Sequence, residues 1–151
     1  GRRLHESGHD FSRGAREELR ILSDAVMEIL RLSVEAMESG SETMARRIEP
    51  LEEVIDDMVL LLRKRHTERL CQGVCAVDAG IVFMDVLTHL ERTADQCSDI
   101  AMLLLGKRNA QILNNHHQYL QDLHSSSDQS YLAEIRNRKE QYLVPLESIK
   151  L

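Results

Sequence analysis

The chain has no tryptophan, and aromatic residues make up only 3% of it. Its core must therefore be filled by Leu, Ile, Val, Met and Ala, the usual material of helix-on-helix packing. Proline occurs twice and glycine seven times in 151 residues, which leaves long stretches with nothing to interrupt a helix. Three cysteines, an odd number, do not close a disulfide framework and point to a reducing compartment. The longest apolar runs, such as Met58 to Leu62 and Ile100 to Leu105, are far too short to span a bilayer. The opening Gly1-Arg2-Arg3 has no signal-peptide character, and a glycine in place of Met suggests an excised or engineered start. An excess of positive charge is missing too: the formal net charge is −6, so no general field for polyanions is expected. Arg2, Arg3, Arg46, Arg47 and the run Arg63-Lys64-Arg65 read as solvated helix surface, because no aromatic residues interleave with them.

What is present is a globular balance, 42% hydrophobic and 29% charged, in a chain long enough to bury a core. Residues 1–10 are polar and read as a disordered tail. A first helix starts near Ser12 and carries Leu19, Leu22, Val26, Ile29, Ser33 and Met37 at steps of three and four. Gly40 suits a left-handed C-cap, and Ser41 can cap the helix that follows. That second helix carries Met44, Ile48, Leu51, Ile55, Met58 and Leu62, and weakens beyond Cys71-Gln72-Gly73. Pro50 should kink it, unless the segment before the proline is a separate turn. The third helix, from about Asp78 to Leu105, has the clearest seam: Phe83, Leu87, Leu90, Ala94, Cys97, Ala101 and Leu104. Gly106 supplies a stop. A shorter helix over roughly Asn109 to His124, a polar loop from Ser125 to Asp128, and a last helix with Tyr131, Ile135 and Tyr142 ending before Pro145 complete the reading. The expectation is an all-α, up-and-down antiparallel bundle, with a three-helix unit over 11–106 and a C-terminal helical extension over 107–151 packing on it.

Two acid-x-x-x-Asp patterns bear on chemistry. Glu52 and Asp56 lie one turn apart on the second helix; Glu91 and Asp95 do so on the third, with Asp99 one turn further. Each ridge borders its helix's apolar stripe, so two antiparallel neighbours could bring all five carboxylates to one cavity. Stacked carboxylates repel unless they are protonated, paired with Arg or Lys, or bridged by a metal. Solvated faces balanced by Arg63 and Arg92 are the plainer explanation of the pattern. An all-oxygen donor set would suit Mg, Ca, Mn or iron rather than a structural zinc. A ferritin-like di-iron site needs Glu-x-x-His on inward helices, and the sole match, Glu6 to His9, falls in the tail. His116, His117 and His124 read as surface histidines. Cys97 is expected to be buried and unbridged, and Cys71 and Cys75 to be loop packing. No nucleophile, general base or phosphate loop can be assembled, so no enzyme is expected.

The third helix also carries a resemblance. LTHLERTADQCSDIA resembles the signature of the PhoU family, with Glu52 to Asp56 where that family has its first acidic motif. RLCQGVCAVDAGIVFMDVLTHLERTADQCSDIA is similar to the PhoU-like domain at the cytoplasmic C-terminus of bacterial sodium/phosphate cotransporters, as are the flanks HDFSRGAREELRILSDAV and HQYLQDLHSSSDQSYLAEIRNRKEQYLVPL. The resemblance covers roughly residues 10–145. It implies a three-helix repeat that regulates phosphate transport or signalling and binds iron or zinc through Glu52, Asp56, Glu91 and Asp95. Asp99 stands where the family more often has Asn. One repeat is present where two are usual, so the chain is either a fragment of a transporter or a half-size standalone protein. Partners would be the membrane domain of the same polypeptide or another phosphate-transport or signalling component. A homodimer is expected as well, because Ile81, Met84, Leu103 and Leu105, with Ile21, Leu30 and Leu32, lie outside the main seams. The rival reading is a purely structural, oligomerising bundle without a metal.

Overall fold

A computed structural model describes residues 11–106, 118 and 129–151. The expected tail, the Asn109 to His124 helix, its histidines and the loop to Asp128 lie outside the described residues. Three long helices dominate: α1 (Arg13–Ser39), α3 (Ile48–Cys71) and α4 (Val77–Gly106), with a short α2 (Glu42–Arg46) leading into α3. The turn between α1 and α2 forms as its residues dictate. Gly40 takes φ 64°, and its amide closes the helix on the Ala36 carbonyl, while the Ser41 hydroxyl accepts from the Met44 amide at 3.3 Å. Pro50 does not bend one continuous helix. It has no N–H to give the Arg46 carbonyl, and the chain divides at Arg47 into α2 and α3.

The pairing of side chains gives the direction of each helix. Glu49 meets Ser98 while Arg63 meets Glu91, so α3 and α4 are antiparallel. Glu18 meets Arg65 and Arg69, so α1 and α3 are antiparallel as well. The chain returns as α5 (Gln129–Arg138), one wide turn of π-helix over Lys139–Leu143, and α6 (Val144–Glu147). This segment runs alongside both α1 and α3. Tyr131 donates to Glu53 at 2.5 Å, Lys139 reaches Asp57 at 3.7 Å, and Arg138 and Tyr142 both bond Glu28. The fold is thus an up-and-down all-α bundle, as expected. The last helix, however, passes through Pro145 instead of ending before it. In the π turn the Val144 amide bonds back to the Lys139 carbonyl, and this looser winding gives the proline ring room.

The core joins Leu22, Val26 and Ile29 of α1 to Leu51, Ile55, Met58 and Leu62 of α3 and Phe83, Leu87, Ala94, Cys97 and Ala101 of α4. Cys97 is buried and unbridged, with its thiol pushed up by burial. Met37 leaves the stripe and is exposed, its place taken by Ala36. Cys71 is exposed and Cys75 half-buried, so the pair lies at the surface of the α3–α4 turn and does not pack within it.

One part of the charge pattern is corrected. Arg65 is not solvated surface: it is buried and donates Nε to Glu18 at 2.6 Å. Arg69, fully buried, grips both oxygens of the same fully buried Glu18 at 2.8 and 2.7 Å. Its guanidinium also lies over the Phe83 ring, 5.4 Å from the centroid, with His66 stacked on that ring at 5.2 Å. A second arm of Arg65 donates to the Ile149 carbonyl and so fastens the C-terminal segment to this end of the bundle. Gly80 is there because nothing larger fits: a Cβ would stand 2.7 Å from the His66 ring.

Candidate metal centre

On α3, Glu52 and Asp56 are four residues apart and point across to α4. The next pair in sequence, Glu53 and Asp57, is rotated by one residue and faces the C-terminal helix through Tyr131 and Lys139. The doubled acids of Glu-Glu-Val-Ile-Asp-Asp therefore form two ridges with different duties. Acid-x-x-x-Asp spacing on the α3–α4 border picks out only the first. The repeated dipeptide was the signal for the second.

From α4, Asp95 completes the first ridge's cluster. One carboxylate oxygen from each of Glu52, Asp56 and Asp95 lies within 4.8 Å of the others. Glu91 is not in this group. Its Oε2 accepts from Arg63 at 2.9 Å, and the same guanidinium nitrogen is 3.3 Å from the Thr88 hydroxyl. Asp99 is also outside the group and exposed. Behind the cluster, Glu49 is buried and accepts a 2.6 Å hydrogen bond from Ser98.

Electrostatics sets the state of these acids. Burial, then the neighbouring Asp56 and Glu49 charges, push Glu52 up to about 10, so it holds a proton at neutral pH. Burial, opposed by the hydrogen bond from Glu52, moves Asp56 to about 6, with Asp95 and Glu91 adding repulsion. Apart from the proton that Glu52 holds, the buried Asp56 Oδ1 meets no donor. A buried acceptor without a donor is costly, and like charges at this spacing cannot all ionise without compensation. A cation relieves both problems. Two oxygens on opposite sides of one ion at about 2.4 Å stand roughly 4.8 Å apart, so three oxygens within 4.8 Å of one another are close enough for one ion to gather them with small side-chain movements. The residues present fit a hard cation.

The described residues form an antiparallel helical bundle with a carboxylate cluster between two of its long helices. The comparison with protein families places this arrangement. The PhoU domain model matches residues 19–104, more than half of the chain, and the chain belongs to the PhoU family. The match begins within α1 and ends within α4, so it covers the three long helices and stops short of the C-terminal helix. Comparison with curated proteins and with solved structures gave no match. The family is one of regulatory, non-enzymatic domains connected with phosphate transport and signalling. Among the described residues, no helix is long and apolar enough to cross a membrane.

Proposed function

We propose that this chain is a cytoplasmic regulatory domain for phosphate transport or phosphate signalling, and that it works by holding a cation between α3 and α4. The observation that supports this reading is the convergence of Glu52, Asp56 and Asp95 on the buried Oδ1 of Asp56, which no basic side chain or backbone amide meets. Glu52 and Asp56 would supply ligands from α3 and Asp95 from α4, so the ion would tie the two helices together. Glu91 has one oxygen engaged by Arg63 and would join as a ligand only through its other oxygen or by leaving that guanidinium. The donor chemistry suits iron, Mn, Mg or Ca, and the family resemblance adds zinc. When bound, the ion neutralises the cluster and fixes the α3–α4 spacing. A partner that reads this spacing, a membrane transport domain in the same polypeptide or a separate signalling component, would sense whether the site is loaded.

Calorimetric titration of chelator-treated protein with Mn2+, Fe2+ and Zn2+ tests the site. At least one ion should bind with a dissociation constant of about 10 μM or below, and Asp56→Asn with Asp95→Asn should weaken it by about a hundredfold. Equal affinity in the double variant would end the reading.

Self-association is part of the same proposal, on a revised surface. Ile21, Leu32 and Leu105 are buried in the core and cannot contribute, whereas Ile81 and Leu103 are 59% and 58% exposed. The C-terminal helix covers the face between α1 and α3. Away from it, α1 shows a second stripe of Met27, Leu30, Val34 and Met37 at steps of three, four and three, with all but Leu30 exposed. A second copy would bury this stripe, at about 25 cal/mol per Å² of apolar surface. Light scattering at micromolar concentration should give twice the mass of one chain, and Met27→Glu with Val34→Glu should return it to 17.3 kDa. A wild-type mass of one chain would remove the dimer and leave the cation proposal standing.

A further inference from the structure

Where the chain divides at Arg47, ahead of Pro50, the short α2 diverges from α3 and opens a cavity of about 350 Å³. Its walls come from α2, the start of α3, the end of α4 and the start of α5, so it lies at the opposite end of the bundle from the Arg65–Glu18–Arg69 cluster. The floor is apolar: Pro50, Met102 and Leu105 are all buried. The rim is cationic, formed by the exposed Arg46 and Arg47, with the Ser130 hydroxyl on the far side. Two acids also line the cavity, and each is already engaged. Glu49 accepts from Ser98 at 2.6 Å, and Glu134 lies 3.2 Å from Arg138 and 3.7 Å from Arg47.

We infer that this cavity binds a small organic anion, a compact apolar body carrying one phosphate or carboxylate group. At about 30 Å³ for each water-sized unit the space holds roughly a dozen heavy atoms, and the volume lies within the usual range for small-molecule pockets. The apolar floor takes the body of such a ligand out of water. The anionic group meets two guanidinium groups at the rim, whose planar donors suit carboxylate and phosphate oxygens. The long Arg47–Glu134 separation, between side chains 47% and 27% exposed, is an ion pair that an incoming anion can displace at little cost. A neutral ligand would gain no charge-assisted contact at the rim, and inorganic phosphate would leave the floor wet.

The test uses metal-free full-length chain, so its outcome does not depend on the cation proposal. Phenyl phosphate, phenol and inorganic phosphate are titrated separately while backbone amide resonances are followed by NMR. Phenyl phosphate should shift the amides of Arg46, Arg47, Leu105 and Ser130 saturably, with at least about tenfold higher affinity than phenol or inorganic phosphate. Arg46→Ala with Arg47→Ala, both exposed positions, should lower that affinity about tenfold without altering the helical circular dichroism. Failure to saturate, shifts centred elsewhere, equal binding of either half-probe, or indifference to the arginine substitutions would each overturn the inference.

Discussion

Glu18→Ala should cost about 3 to 5 kcal/mol of folding stability, the largest effect of any single substitution outside the apolar core. The reason is the asymmetry of buried ion pairs. Glu18 and Arg69 are fully out of water and Arg65 nearly so, and one carboxylate serves two guanidinium groups. Removing that carboxylate strands two cations in a site that cannot rehydrate without opening the end of the bundle. It also frees Arg65 from the position in which it holds the Ile149 carbonyl, so the C-terminal segment should loosen with it. Replacing the whole cluster is expected to be far milder. Glu18→Leu, Arg65→Met and Arg69→Leu together remove the charges along with their desolvation penalty, and should fall within about 2 kcal/mol of wild type. Urea denaturation of both proteins measures this. A Glu18→Ala cost below about 1 kcal/mol would mean that the cluster is hydrated in solution.

The second large effect is the dependence of stability on pH. The folded protein holds Glu52 up at about 10, against an ordinary 4.5. Its proton is retained in the fold and lost on unfolding throughout the interval between these values. This contribution to stability is therefore complete below about pH 4.5 and is lost as pH rises toward 10. Between about pH 7 and 9 the slope can reach about 1.4 kcal/mol per unit. The choice of window matters. Burial and the Arg69 charge lower His66 from 6.5, and that contribution has the opposite sign, since stability is lost as pH falls below 6.5. Asp56, at about 6, has largely ionised before the window begins. Metal-free wild type should thus weaken from pH 7 to 9, and Glu52→Gln, which cannot ionise, should give a nearly flat profile. A bound cation must expel the Glu52 proton, so its apparent affinity should rise with pH by up to about tenfold per unit. Parallel wild-type and Glu52→Gln profiles in urea would show that Glu52 ionises normally and that the cluster is wetter than its burial indicates.

The long helices were legible because local rules and tertiary packing agree. The Gly40–Ser41 turn and the Phe83 to Ala101 seam follow from spacing alone, and the same spacing placed Glu52, Asp56 and Asp95 at the border of the α3–α4 contact. Other features depend on partners distant in sequence. Arg65 and Arg69 resemble any solvated pair on a helix until Glu18, some fifty positions earlier, comes to rest between them. Glu91 satisfies the same motif rule as Asp95, but Arg63 lies opposite it and takes its carboxylate. Pro145 marks a disturbance in the last helix, but spacing alone does not say that the chain passes through it in a π turn, where Arg138 and Tyr142 both reach Glu28.

Crystals grown with Fe2+ or Zn2+ and measured at the absorption edge of that metal decide whether Glu52, Asp56 and Asp95 share a cation. An anomalous peak should stand among these three carboxylates, within about 2.0 to 2.4 Å of an oxygen from each. A well-diffracting crystal with full soaking and no peak there, or with its peak at Cys71 and Cys75 or at the histidines instead, would contradict a shared cation.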